Sequence, residues 1–170
     1  MSRTRILESQ QIERKLQRIA RQILEDFHDA SDLYLISIEG NGQPVGHRLQ
    51  LIIEEIGSIK VIPALISLNK INPLDDEIRL NADLDSLRGK NIVIVDDVLN
   101  SGKTLMYAVH HILAAGPSRV ATAVLIDRIH RSFPVRADYC GLSLSTNLKE
   151  HIDVIIENQC APSDEAILHD

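Results

Sequence analysis

Tryptophan is absent from this chain of 170 residues, and aromatic side chains make up only 3% of it. A core built here must therefore come from Ile, Leu, Val and Ala. Cysteine is as scarce. Cys140 and Cys160 are the only two. They are too far apart for a Cys-x-x-Cys redox or zinc site and too few for a disulfide framework, and they read as small, partly buried side chains. No apolar run approaches the length of about 20 residues that spans a bilayer. The start, Met1-Ser2-Arg3-Thr4-Arg5, is not followed by the apolar stretch of a signal peptide. These absences predict a cytoplasmic protein with no membrane association. An excess of positive charge is missing too. The net charge of −6 argues against a generally basic nucleic-acid binder and leaves room only for local basic faces. His, Cys, Asp and Glu show no metal-ligand spacing, and no repeat, low-complexity tract or linker divides the chain. Residues 1–170 are expected to form a single domain.

What is present is an ordinary balance of 44% hydrophobic and 25% charged residues, enough for a substantial α/β core. Ile12, Leu16, Ile19, Ile23 and Phe27 recur at helical steps and predict a first helix, with Ser9 as its N-cap. Arg14, Lys15, Arg18 and Arg21 lie largely off that stripe, on a solvated face or a docking face. A strand is predicted at Leu33–Ile38, followed by a tight turn at Glu39-Gly40-Asn41-Gly42. A helix is then expected from Pro44 to Gly57, and a second strand over Val61–Leu68. Residues 69–90 read as a mobile loop with little structure. The third strand, Asn91–Val95, is apolar enough to be buried on both faces, as in a parallel sheet. A helix from Thr104 to about Ala115, closed by Gly116, and a strand at Val120–Ile126 follow. Val135–Leu142 and Asp153–Glu157 are further strand candidates. The alternation predicts a three-layer α/β sandwich around a mainly parallel sheet.

The chemistry concentrates in Ile92-Val93-Ile94-Val95-Asp96-Asp97-Val98-Leu99-Asn100-Ser101-Gly102-Lys103-Thr104. A buried strand delivers two adjacent carboxylates to its C-terminal end, where open α/β sheets bind ligands. The loop Asn100, Ser101, Gly102, Lys103, Thr104 then opens a helix. Its N–H groups, its two hydroxyls and the helix dipole form an anion cradle of phosphate size. Carboxylates for vicinal hydroxyls beside a cradle for phosphate describe a sugar-phosphate site. A P-loop would need a glycine five positions before Gly102; Asp97 stands there. A strand-turn-helix with no ligand is the plainer alternative, but it leaves two acids to be desolvated without partners.

This segment resembles the 5-phosphoribosyl-1-pyrophosphate (PRPP) motif of type I phosphoribosyltransferases. The stretch Val124–Gly141, with Asp127-Arg128, His130-Arg131 and Pro134-x-Arg136-Ala137-Asp138-Tyr139, is similar to the bifunctional pyrimidine-operon attenuator and uracil phosphoribosyltransferase proteins. The resemblance implies that Asp96 and Asp97 bind the ribose hydroxyls, directly or through Mg²⁺ carried by PRPP. Asn100–Thr104 would hold the 5-phosphate, Glu39–Gly42 would lie at the pyrophosphate, and Asp127, Arg128 and residues 145–149 would border the base. It also implies a homo-oligomer, for which the apolar surface of the first helix and Phe133–Tyr139 are candidate interfaces.

The chain departs from that family at the turn, where Glu39 and Asn41 replace Lys and Arg. In the flexible loop a Tyr-Arg-Asp-Asp stretch gives way to Ser67-Leu68-Asn69-Lys70 with Asp75 and Asp76 further on, and Lys70 is a candidate for supplying one charge. Asn100 stands where similar purine enzymes often have an Asp, which favours a pyrimidine. Two functions follow: transfer of the phosphoribosyl group from PRPP to a base such as uracil, or regulation by binding PRPP or a nucleoside monophosphate, with RNA as a further partner. No catalytic acid or base is assigned.

Overall fold

The computed structural model describes residues 3–147 and 150–169. The elements run β1 (Arg3–Glu8), α1 (Ser9–Asp26), β2 (Asp32–Ile38), α2 (Gly42–Ile56), β3 (Lys60–Ser67), β4 (Arg79–Leu80), a 3-10 turn (Leu84–Leu87), β5 (Asn91–Leu99), α3 (Lys103–Leu113), β6 (Arg119–Asp127), β7 (Tyr139–Ser143), β8 (His151–Ile155) and β9 (Glu165–His169). The central sheet has six strands in the order β4-β3-β2-β5-β6-β7, and every pairing except β3–β4 is parallel.

Side chains on β2 alternate between two cores, as the pleat requires. Leu33 and Leu35 join the interior beneath α1 and α2, with Val93 and Val95 of β5. Tyr34, Ile36 and Ile38 point the other way, with Ile92, Ile94 and the α3 residues Leu105, Ala108 and Ile112. These are the three layers of the predicted sandwich. Full burial of an aliphatic side chain stabilises by about 1.5–3 kcal/mol, and β5 contributes Ile92, Val93, Ile94 and Val95 at no measurable exposure.

A second sheet was not expected from the sequence. β1, β9 and β8 pair antiparallel in that order and form a hood over the first core, to which they contribute Leu7, Ile152, Val154 and Ala166. Three clamps tie the hood to the rest. Arg48 Nη1 of α2 donates to Asp164 Oδ2 at 2.6 Å, and a second nitrogen of Arg48 donates to Glu13 of α1. The Asn41 side chain donates to Val154 O at 3.0 Å. Arg128 binds the segment that leads into β8.

Several expectations need correction. Glu8, not Ser9, caps α1: its side chain accepts from the backbone of Gln11, while its own N–H donates to Gln11 Oε1. A carboxylate meets the first-turn N–H groups at least as well as a hydroxyl does. α2 begins at Gly42, before Pro44. Residues 69–90 are not structureless. β4 pairs with the edge of β3, Asn81 Oδ1 accepts from Leu65 N at 2.6 Å, and Leu87 is fully buried. β5 continues through Asp96 and Asp97 to Leu99 because Val98 and Leu99 are buried beyond the acids. β7 starts only at Tyr139, and β8 covers His151–Ile155 rather than 153–157. Cys160 is exposed rather than partly buried. The apolar stripe of α1 is consumed within the chain's own core, so it is not free to serve an assembly. The basic face of α1 is partly engaged as well. Arg18 Nη2 donates to the carbonyls of Cys140 and Gly141 at 2.8 and 2.6 Å, which occupies acceptors on the edge strand β7. No described helix is long and apolar enough to cross a membrane.

Candidate functional site

Asp96 and Asp97 sit near the C-terminal end of β5, beside Val124 of β6. The alternation of β5 is interrupted across the pair, since Val95 and Val98 both join the first core and Leu99 the second, and the burial of the two acids differs. Asp96 is 6% exposed, whereas Asp97 is half-buried. Asp96 Oδ1 accepts the N–H of Asp97 at 2.9 Å. Burial pushes the Asp96 carboxyl well above the ordinary carboxylate range, and the Asp97 charge pushes in the same direction. The Lys70 ammonium opposes both.

The chain next turns through Asn100–Gly102 into α3. Gly102 caps this helix at φ +86°, a left-handed conformation that costs an L residue about 1–2 kcal/mol. A Cβ there would also stand 2.7 Å from Val135 Cγ1. The loop is braced from below by the 128–135 segment. Arg128 N donates to Leu99 O at 3.1 Å, and Ser132 N and Phe133 N both donate to Ser101 O, at 2.9 and 3.1 Å. Thus the second stretch that the sequence singled out is the platform under the first. Asp96 to Leu105 and Lys70 line one cavity of about 90 Å³. Asp96, Asp97, Ser101, Thr104 and the N-terminus of α3 border one concavity, which combines carboxylate acceptors for sugar hydroxyls with hydroxyl and N–H donors for a phosphate.

The turn Glu39–Gly42 approaches this cavity from β2. A Cβ on Gly42 would stand 3.1 Å from Val95 O and 3.2 Å from Asp96 Oδ1, so a side chain here would press the turn away from β5. A Cβ on Gly40 would stand 3.4 Å from Lys70 Nζ. Glu39 faces a neighbouring cleft lined by Ser67, Leu68, Asn69, Asp76, Glu77 and Arg79. Asn41 is fastened to Val154 O of the hood.

Asp127 and Arg128 close β6. The Asp127 carboxylate accepts from Ile129 N at 2.9 Å and from Arg131. Arg128 is a hub. It donates to Asn100 Oδ1 at 3.0 Å, Thr146 Oγ1 at 2.8 Å, Asn147 O at 2.9 Å and Glu150 O at 2.7 Å. It thereby ties the phosphate loop to the segment expected at the base. Leu148 and Lys149 of that segment lie outside the described residues. Ile129 escaped the sequence reading: it is 56% exposed and adopts φ +57°, a rare conformation for a β-branched residue. Nothing in its local sequence marks it. Arg128→Ala is expected to lower stability by about 1–3 kcal/mol and to speed amide exchange at residues 144–147, read by denaturation and mass spectrometry. Arg128→Lys should recover little, because an ammonium cannot reproduce the fork.

A wider hollow of about 530 Å³ lies between β1, the start of α1 and the 162–165 segment. Arg5 pairs there with Glu165 and Asp164 with Arg48, and the Glu8 side chain is spent in the capping box of α1.

Comparison with known proteins identifies the family. The sequence pattern described as "Phosphoribosyl transferase domain" matches residues 2–158. The chain belongs to the phosphoribosyltransferase family. Its reaction class is accordingly pentosyl transfer. It is 34% identical over 161 residues to the "Bifunctional protein PyrR" of Clostridium novyi, with 89% of each chain covered. It is 32% identical over 163 residues to the protein of that name from Leuconostoc citreum, covering 92% of this chain and 93% of the relative. Among solved structures it is similar to a hypoxanthine-guanine phosphoribosyltransferase from Bacillus anthracis, with a TM-score of 0.69, 21% identity and coverage of 85% and 84%. The hypoxanthine phosphoribosyltransferase of Trypanosoma cruzi matches with a TM-score of 0.71, 21% identity and coverage of 83% and 81%. The structural likeness extends the type I phosphoribosyltransferase fold to this chain.

Proposed function

We propose that this protein transfers the 5-phosphoribosyl group of PRPP to a pyrimidine base, with uracil as the acceptor. The observation that carries this reading is the single cavity that joins Asp96, Asp97 and the Asn100–Thr104 cradle. The 5-phosphate would occupy the cradle, where N–H groups at the start of α3 and the Ser101 and Thr104 hydroxyls face it. The carboxylates of Asp96 and Asp97 would accept hydrogen bonds from the ribose hydroxyls. The Glu39–Gly42 turn would border the pyrophosphate. Asp127 and Arg128 would shape the base side, chiefly through the Arg128 clamp. The base nitrogen forms its bond to C1 and gives up its N–H proton as the C1–oxygen bond to pyrophosphate breaks; the electron pair leaves with pyrophosphate, and the proton passes to it or to water. Charge that develops on the ribose is stabilised by the nearby carboxylates. Among the described residues there is no group of three or more side chains able to hold a metal ion. Two adjacent carboxylates suit an Mg²⁺ ion bound mainly by the ligand's own phosphates, and such an ion would neutralise charge on the departing pyrophosphate.

The uracil assignment leans on the resemblance of Val124–Gly141 to the attenuator and uracil phosphoribosyltransferase proteins and on Asn100, an amide that cannot exchange a proton with a purine. A cytoplasmic homo-oligomer is part of the same proposal. A second reading is a regulator that binds PRPP or a nucleoside monophosphate, with RNA as partner. It is favoured by the turn, in which Glu39 is acidic and Asn41 is committed to the hood. Pyrophosphate release from PRPP with a panel of bases separates the two. Release that depends on uracil is the expected result. Binding of PRPP with no release for any base would leave the regulatory reading.

A further inference from the structure

The pyrophosphate turn carries no cation of its own between Glu39 and Gly42. A pyrophosphate leaving group has several negative charges, and its binding needs positive charge close by. The nearest ammonium comes from a different element. Lys70 follows β3, yet its Nζ reaches 3.4 Å from the Cβ position of Gly40. The same side chain lines the cavity of Asp96–Leu105. It therefore stands between the turn and the ribose end of the site, where the C1 substituent of a bound PRPP would extend.

The backbone around Lys70 is built to hold it there. Asn69 Oδ1 accepts from Ile71 N at 3.0 Å and from Asn72 N at 2.9 Å, and its Nδ2 donates to Asp76 Oδ2 at 2.7 Å. This Asx-type turn reverses the chain immediately after β3. Lys103, the first residue of α3, donates from Nζ to Ile71 O at 3.1 Å. The segment that carries Lys70 is thus pinned to the phosphate loop itself. Lys103 spends its ammonium on that carbonyl, and Arg128 is occupied by its four acceptors, whereas Lys70 is exposed. Asp96 lies within electrostatic reach of Lys70, which draws its carboxyl back toward the charged form.

We infer that Lys70, positioned by the Asn69 turn and the Lys103–Ile71 bond, is the pyrophosphate-binding cation of this site and stands in for the basic residues the turn lacks. The inference rests on the proposed PRPP site and deepens it. PRPP places charge at C1 and a nucleoside monophosphate does not, so Lys70 should distinguish the two ligands.

The test is calorimetric titration of the full chain with PRPP and, separately, with uridine monophosphate, both with Mg²⁺, for wild type, Lys70→Met and Lys70→Arg. Lys70→Met is expected to weaken PRPP by about tenfold or more and to leave uridine monophosphate within about twofold. Lys70→Arg should retain most of the PRPP affinity. Thermal melts check that each variant is folded, as expected for an exposed side chain. Equal weakening of both ligands by Lys70→Met would overturn the inference, because Lys70 would then act on the ribose phosphate as a whole. An unchanged PRPP affinity would overturn it as well. A wild type that binds neither ligand would defeat the site reading itself and the inference with it. A wild type that binds only uridine monophosphate would defeat the inference alone.

Discussion

Arg48→Ala is expected to lower the unfolding free energy by about 3–5 kcal/mol, the usual penalty for removing one partner of a buried ion pair. Arg48 is 3% exposed and Asp164 1%. Their contact is a direct one of 2.6 Å, and Glu13 takes the second guanidinium nitrogen. Asp164 also accepts from Glu157 N at 3.0 Å and Ala161 N at 3.2 Å. Its charge would remain in the interior after the substitution, with only these two amides to meet it. The hydrogen bonds raise the Arg48 pKa although burial lowers it, so the guanidinium stays charged. Because Arg48 is on α2 and Asp164 immediately precedes β9, the damage should fall first on the hood. Arg48→Lys should recover little, since a point charge cannot serve Glu13 and Asp164 as a fork does. Urea denaturation monitored by circular dichroism gives the free energy. A loss below about 1 kcal/mol would mean that the pair behaves as a solvated surface bridge.

Asp96→Asn is expected to raise thermal stability at neutral pH while weakening PRPP binding by about tenfold or more, the cost of one charge-assisted hydrogen bond. The two effects have one cause. Asp96 is held in a dry position beside Asp97, which raises its folded pKa above the unfolded value. Between those two values the folded state binds the extra proton. Stability therefore falls as pH rises through that window, and the full contribution is present only below the unfolded pKa. Asparagine has the same shape and no charge to desolvate. The melting temperature of the variant should exceed that of the wild type at about pH 8 and converge toward it near pH 4. The scale is about 2–4 °C per kcal/mol for a chain of this size. A variant that melts lower than the wild type at every pH would show that the ionised carboxylate stabilises the fold, contrary to its burial.

The legibility of the sequence follows the range of the interactions. β5 could be read because Ile92–Val95 is apolar without interruption, and burial on both faces demands that. α1 could be read because its stripe has helical period and every member of it is buried. The phosphate loop could be read because all its parts, the acids, the Gly102 cap and Thr104, lie within a few residues of one another. The hood could not. Arg3, Thr4 and Arg5 are exposed on β1, and pairing of β1 with β9 joins residues more than 150 positions apart. Neither strand carries a local signal strong enough to announce itself. Asn41 shows the same limit at the site. The sequence marks it as a departure from a basic residue, but its bond to Val154 O depends on a strand 113 positions away. Only resemblance points to Arg128 in the sequence, and its four acceptors, which make it a clamp between Asn100 and the 146–150 segment, are set by the fold.

The central claim is that the end of β5 and the loop into α3 bind a 5-phosphoribosyl group. Titration calorimetry with uridine monophosphate and with PRPP, in the presence of Mg²⁺, tests it most directly. One site per chain is predicted, with binding abolished by Asp97→Asn combined with Thr104→Val and preserved by a substitution at the exposed Glu54 of α2. No binding of either ligand to the wild type at millimolar concentration would contradict the claim, as would binding that the double substitution leaves unchanged.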